Sequence, residues 1–439
     1  MVLVRTGEAI TKSNSGVSAP HYFFKEGGIY MLKMTFSLSD LKKALKTVKS
    51  AINKKTDIDL LRGSMFNVTD GETVEIKATD RAIGIECSVP ATIDDEDDIL
   101  NTPDSRFVIP RDFIKLVSNL RGSEINLEYD HETKTMDIYC SDNHFNMQCD
   151  SAANYPVFPD REDNWQFEIE QKSFKEVLKR VGVTVEKGND GNEILKGVLF
   201  ESNGEQISLA STDSFRLSKE ILMEGTADIE EVDDVIPYEL LKILGKELSD
   251  SNEDVVHICF EEDKMYFNIG GDLDVKLHSS KLHGVFPSIS QIIPDTTNFE
   301  FTVNRKDLID NLKIIKPLAS NFEVRLDVNS SKEKLFITAK GTETGGGFVS
   351  LPVEDIEGEE VHISCEGTTI SDSLKKLNTD KVLMKFTSSE SQAVIKMNDN
   401  EEYDYIFMPI RADIEAAEEV YDDSEETQED EEVKKETAA

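Results

Sequence analysis

The chain has 439 residues, 38% of them hydrophobic and 31% charged, with a formal net charge of −39. That length exceeds one ordinary core and points to about two to four domains. No apolar run approaches the roughly 18 residues of a membrane span, and the N-terminus lacks the apolar stretch of a secretory leader.

Residues 1–33 carry no core pattern and read as an unstructured extension. The stretch Lys25 to Met31 can be encoded with GGAGG shortly before the codon of Met31, as in a bacterial ribosome-binding site translated in frame. The natural start is therefore expected at Met31 or Met34. From Thr35, a short alternating strand runs into an amphipathic helix, TFSLSDLKKALKTVKSAI. Leu41, Leu45, Val48 and Ile52 form its buried stripe at spacings of 4, 3 and 4. Lys42, Lys46 and Lys49 repeat that rhythm one residue over, on an adjacent exposed face, with Lys54 and Lys55 just beyond.

The same pattern returns as QFEIEQKSFKEVLKRVGV from Gln166 and EFTVNRKDLIDNLKIIKPLA from Glu300. Leu41, Phe174 and Leu308 lie 133 and 134 residues apart (174 − 41, 308 − 174). A fixed period of this kind marks an internal repeat. Each copy continues with alternating hairpin strands. A second helix follows, IPRDFIKLVSNL, IPYELLKILGKEL or TTISDSLKKL, with Pro110 and Pro237 where a helix start tolerates proline. More strands close each copy, giving two helices and about eight strands. Helices packed on antiparallel sheet place the unit in the α+β class. The expected domains are residues 34–162, 163–297 and 298–412. The run Asp94 to Asp98 reads as a solvated loop, and the acidic residues 413–439 as a disordered tail.

The helices run against the overall charge. Lys175, Lys179 and Arg180 in the second copy and Lys313 and Lys316 in the third join the lysines of the first. A basic surface made by corresponding helices, with acid left on strands, loops and tail, suits sequence-independent contact with DNA phosphates.

In order and spacing, FVIPRDFIKLVSNL, NYPVFPD, GVLFES with LASTDSFRLS, VIPYELLKIL, SKLHGVFPSISQIIP and YDYIFMPIR make the chain resemble the bacterial DNA polymerase III beta subunit family, the sliding clamps, from about Met34 to Arg411. The resemblance implies three clamp domains per chain and a head-to-tail homodimeric ring with helices lining the hole. It implies a non-catalytic, cytoplasmic processivity subunit of the polymerase holoenzyme, without cofactor or metal. The implied partners are double-stranded DNA, the polymerase catalytic subunit and an ATP-dependent clamp loader, with no membrane. It also implies a peptide pocket between the second and third domains. The matching positions are Leu195, Thr212, Ser214, Phe215, Arg216, Leu217, Pro287, Ile292, Ile406, Met408, Pro409, Ile410 and Arg411. Phe145 and Met147 match one side of the ring interface, and Leu318 and Ala319 the other; Lys55 matches a duplex-contacting position. Three places depart from the family pattern. Ser214-Phe215 replaces a small residue and histidine, Cys365-Glu366 a Phe-Asn pair, and Thr369 a tyrosine, so an altered peptide preference is expected.

Other signals point elsewhere or nowhere. Cys87, Cys140, Cys149, Cys259 and Cys365 include no C-x-x-C pair, so reduced thiols are expected rather than a disulfide framework or zinc ribbon. Asp80 and Asp213 occupy corresponding places; a repeated turn is expected there, because Asp in a tight turn bonds its own backbone, and a paired-carboxylate enzyme is the competing reading. Gly345-Gly346-Gly347 does not complete a phosphate loop, and the histidines lack ligand spacing. A clamp-derived phage or plasmid protein that competes for clamp partners without loading on DNA is the alternative function.

Overall fold

The computed structural model describes residues 31–52, 56–68, 71–95, 105–159, 164–188, 191–224, 230–294, 296–341, 345–412 and 414. Residues 1–30, Lys54, Lys55, Glu96 to Asp98, Asp413 and 415–439 lie outside the described residues. Met31 to Lys33, expected in the unstructured extension, instead open the first strand, because Leu32 belongs to the core.

Each repeat has one element order, strand, helix, four strands, helix, three strands, to which the first adds a two-residue strand, Asp150–Ser151. The helices are α1 (Leu38–Val48), α2 (Asp112–Asn119), α3 (Gln171–Val181), α4 (Tyr238–Glu247), α5 (Arg305–Ile315) and α6 (Gly367–Leu374). Strand Met31–Ser37 alternates buried and half-buried residues, and α1 buries Leu38, Leu41, Ala44, Leu45 and Val48. This is the expected change of period from two to 3.6. The helix is shorter than its stripe. It tightens into a 3₁₀ turn at Lys49–Ala51, and the extended backbone of Ile52 carries that side chain into the core. The acidic run also differs from expectation at its start: Asp94 and Asp95 belong to strand Ile83–Asp95, opposite Lys33 and Leu32. All five cysteines are buried free thiols.

One ladder recurs between repeats. The eighth strand of the second repeat, Val275–Ser280, pairs with the fourth strand of the first, from Lys276 opposite Glu86 to Ser279 opposite Ile83. The eighth strand of the third, Asn400–Phe407, pairs with the fourth of the second, from Arg216 opposite Phe407 to Glu220 opposite Tyr403. The sheets therefore run through both domain joints, as a 13-stranded and a 12-stranded sheet. Among the described residues, two complementary edges are left over. One is the eighth strand of the first repeat, Asn143–Gln148, paired only with Thr135–Cys140. The other is the fourth strand of the third, whose Gly345–Pro352 part pairs only with Lys334–Gly341.

The joint between the first two repeats depends on Gly84. A β-carbon there would overlap the ring of His278, which sits opposite it in the ladder. Phe158 meets that ring edge-on at 5.0 Å, and the Lys77 ammonium lies 5.5 Å from the Phe158 centroid. Burial, with Lys264 and Lys77 adding positive charge, pushes His278 down to about 4. The unfolded chain binds this proton near pH 6.5, so folding is opposed as pH falls from about 6.5 to about 4. Urea denaturation across that window should show His278→Gln losing less stability than wild type, by on the order of 2 kcal/mol. Parallel curves for the two proteins would exclude His278 as the cause.

Candidate nucleic-acid face and partner groove

The lysines divide into braces and surface charges. Lys42 Nζ donates to the carbonyl of Leu120, the C-cap of α2, at 2.6 Å. Lys175, one repeat on, donates to the carbonyl of Leu248, the C-cap of α4, at 2.9 Å, and to Asp250 at 2.8 Å. In the third repeat Arg305 takes that role, donating to the carbonyls of Leu374 and Thr379. Helix C-termini leave carbonyls unsatisfied and favour cations, so one cation laces the two helices of each repeat together. Lys46, Lys49, Lys179, Lys313 and Lys316 are exposed. Lys313 pairs with Asp310 at 2.7 Å, and Lys316 lies 4.9 Å from the Phe322 ring centroid.

Arg180 is a correction to the expected basic face. It is buried, and its guanidinium grips Glu220 with two bonds of 2.7 Å. Asn400 of the third repeat also donates to Glu220, at 3.2 Å. Burial pushes the Glu220 carboxyl upward, against the pull of Arg180 and Asn400. Next to this pair, the Tyr403 hydroxyl lies 3.5 Å from Ser218 and 3.2 Å from Ser373. Arg180 is thus committed to the joint between the second and third repeats and has no phosphate-facing surface.

Thr47, Arg180 and Ile314 share one position, six residues after Leu41, Phe174 and Leu308. Thr47 faces the first joint, with its hydroxyl 2.8 Å from Glu247 of α4. Arg180 faces the second. Ile314 is left 63% exposed. Leu318, four residues on, would have its Cδ1 3.2 Å from a β-carbon at Gly347, on the open edge of the third repeat. Leu318 and Ala319 are half-buried there, as are Phe145 and Met147 on the open strand of the first repeat. Sequence reading passed over Ile314 because a single exposed isoleucine gives no periodic signal.

The Asp80 and Asp213 segments are one turn built twice. Asp80 Oδ1 accepts from the amides of Ala82 and Ile83, at 3.0 and 2.8 Å. Asp213 Oδ1 accepts from Phe215 and Arg216, at 3.1 and 2.8 Å. Thr79 and Thr212 each donate to the carbonyl four residues on, and Arg81 and Ser214 take positive φ. The carboxylates are occupied as turn acceptors, and Asp213 also holds Arg216 at 2.7 Å. Thr212 is accordingly a turn brace. At the turn tip the first repeat has Ala82 and the second Phe215, which is 73% exposed.

Beside Phe215 lies a small apolar cluster between the second and third repeats. Leu195, Leu217 and Ile406 form its buried floor, and Ile292 lies half-buried against them. Met408, Pro287 and Arg411 are exposed at the rim, with Pro409 and Ile410 half-buried. The Met408 amide donates to the Phe215 carbonyl at 3.0 Å, joining the two lips. Ile194, Leu199, Ala210, Val235, Ile289 and Val394 also belong to the cluster and were not anticipated. Ile289 lies within the SISQIIP stretch, whereas the strand of Val394 buries both faces and gives no alternation to read. Of the departing positions, Cys365 is buried, Glu366 is exposed, and the Thr369 carbonyl accepts from Tyr405 Oη at 2.6 Å. Among the described residues no group of three or more His, Cys, Asp or Glu could hold a metal ion.

Comparison with known proteins covers nearly the whole described chain. Residues 32–159, 168–288 and 290–411 match the family models of the N-terminal, central and C-terminal domains of the DNA polymerase III beta subunit. The beta sliding clamp of Staphylococcus epidermidis is 23% identical over 387 residues, 87% of this chain and 99% of that protein; that of Staphylococcus aureus shows the same values. The Bacillus subtilis DNA polymerase sliding clamp superposes with a TM-score of 0.79 at 24% identity, covering 87% of this chain and 99% of that one. The Thermotoga maritima beta subunit gives 0.77 at 25% identity, covering 87% and 100%.

The assignment of Arg180 to the joint has a measurable consequence. Glu220→Leu strands a buried guanidinium and should lower the unfolding free energy by about 3–5 kcal/mol, while Lys46→Glu on the surface should stay within about 0.5 kcal/mol. Equal, small effects in denaturant titrations would return Arg180 to the surface set.

Proposed function

The chain belongs to the DNA polymerase III beta subunit family, the sliding clamps, and from that premise we propose that it tethers a replicative polymerase to duplex DNA as a closed ring of two copies. The observation that carries this reading is the ladder of eighth strand on fourth strand, present at both internal joints and left open once at each end. Pairing the open edge of one copy with the opposite open edge of another repeats the same joint. A heterologous contact of this kind gives a closed ring when its rotation closes. Three repeats per chain then give six around the ring. Phe145 and Met147 on one edge face Leu318, Ala319 and Ile314 on the other.

A sliding clamp is non-catalytic, and its hold on DNA is topological. Contacts with phosphate need only be weak and sequence-independent, which lets the ring slide. Lys46, Lys49, Lys179, Lys313 and Lys316 are the surface cations suited to that task. Lys42 and Lys175 contribute charge while bracing their helices. Lys54 and Lys55 follow α1 in sequence and extend the same set. The groove at Leu195, Leu217, Ile292, Ile406 and Met408 is the docking site for peptide segments of the polymerase catalytic subunit and of an ATP-dependent loader, an apolar slot with a polar rim. No helix among the described residues is long and apolar enough to cross a membrane. Cytoplasmic location follows from work on replicating DNA.

Two measurements test this. Reversing Lys46, Lys49 and Lys179 to Glu should shorten retention on nicked circular DNA at least about threefold and reduce its salt dependence by up to about 3 in logarithmic slope. The dimer should persist, and wild type should be lost from the DNA when the circle is linearised. Unchanged retention would remove these lysines from the DNA face. Ile314→Glu places an unpaired charge in the closing joint and should weaken the dimer about 100-fold, as native mass against concentration would show. A dimer as tight as wild type would place Ile314 outside the joint.

A further inference from the structure

The five exposed large hydrophobic residues among those described are Val157, Phe215, Val285, Ile314 and Met408. Three of them border one cluster. Phe215 and Met408 are the bonded lips of the groove, and Val285 adjoins Phe286, which packs on the same cluster. The Phe215 turn is held by Asp213 and Thr212, so the ring is presented in a preorganised position. The chain leaves the domain at this rim. The Ile410 amide donates to the Ser364 carbonyl at 2.8 Å, the Arg411 side chain is 88% exposed, and Ile414 is buried with its carbonyl accepting from Arg325.

Residues 415–439 follow. They hold twelve acids and two lysines, a net charge of −10 (2 − 12). Their one adjacent pair of apolar residues larger than alanine is Val420-Tyr421, flanked by Glu418, Glu419, Asp422 and Asp423. Ile414 is three residues past Arg411, hence within about 11 Å of it, and Val420 is six residues past Ile414, a reach of about 20 Å. The groove mouth falls inside that reach.

We propose that the chain's own segment 415–439 occupies the partner groove, seating Val420 and Tyr421 against Phe215 and Met408, so that a partner peptide binds only by displacing it. The proposal rests on the reading of this groove as the partner site. Among the described residues Arg411 pairs with Glu390 at 3.2 Å, an exposed contact of little net strength that it can exchange for the acids beside Tyr421. Tethering supplies a roughly millimolar effective concentration. A segment binding with Kd of about 0.1 mM in trans would therefore fill most grooves in cis and weaken a competing peptide about tenfold.

The test uses a chain ending at Ile414 and a synthetic peptide of residues 415–439. Calorimetry should show one saturable site per protomer, with Kd of about 0.1 mM. Phe215→Asp in the protein, or Tyr421→Ala in the peptide, should weaken it about tenfold. Phe215 is an exposed turn tip, and native mass of the Phe215→Asp protein checks that it folds and dimerises. Absence of saturable binding overturns the proposal. So does binding that salt abolishes but neither substitution alters, which would put the segment on the lysine-bearing helices. A purified replicative DNA polymerase catalytic subunit from the same organism, added as the probe, separates the two readings. If it binds the shortened and full chains equally, and Met408→Asp abolishes both, the groove stands and the self-occupancy falls. If it binds neither chain, and Met408→Asp changes nothing, the groove reading falls. Binding about tenfold tighter to the shortened chain supports both.

Discussion

The backbone ladder between one repeat's last strand and the preceding repeat's fourth strand is the constraint on which the rest depends. A sheet edge presents amides and carbonyls that must be paired or managed. Here both internal edges are paired by neighbouring repeats, and the same geometry leaves two complementary edges at the ends of the chain. Function as a ring is thus a consequence of how three copies of one unit satisfy their edges. The joints are not equal in side-chain chemistry. The first is a histidine filling the space of a glycine, and the second is a buried Arg180–Glu220 pair shared with Asn400. Burying the second pair is tolerable because the carboxylate receives three charge-directed hydrogen bonds.

The charge distribution follows from the same repeat. A net charge of −39 is compatible with DNA contact because lysines concentrate on the helices, but part of that positive charge serves inside the protein. Lys42 and Lys175 close the carbonyl ends of α2 and α4, and Arg305 does so for α6. Each repeat therefore uses cations first to join its own two helices, and only the next exposed turn faces outward.

Repetition also separates scaffold from function. The Thr-Asp turn is built identically at Thr79-Asp80 and Thr212-Asp213, down to the amides each aspartate accepts. What differs is the tip, Ala82 in one and Phe215 in the other. Beside Ala82 the joint is filled by His278 and Phe158, whereas Phe215 stands exposed beside an apolar cluster between the second and third repeats. One fold element thus carries a small, packed tip in one place and a large, exposed one in another.

Much of this was legible in the sequence. The repeat spacing, the helix stripes, the hairpins and the turn role of Asp80 and Asp213 all follow from local chemistry that each segment carries with it. Family likeness picked out Leu195, Leu217 and Ile406, which meet in one apolar cluster across two repeats. Only the tertiary structure decided how neighbouring cations on one helix are used. Lys179 is exposed, while Arg180, one residue on, is buried against Glu220. Only it showed that Ile314 is left exposed and that Val394 belongs to the apolar cluster between the second and third repeats. The physical reason is the same in each case. Periodicity reports burial of an element against its own sheet, but burial against a neighbouring repeat depends on where the strand ladders place that repeat.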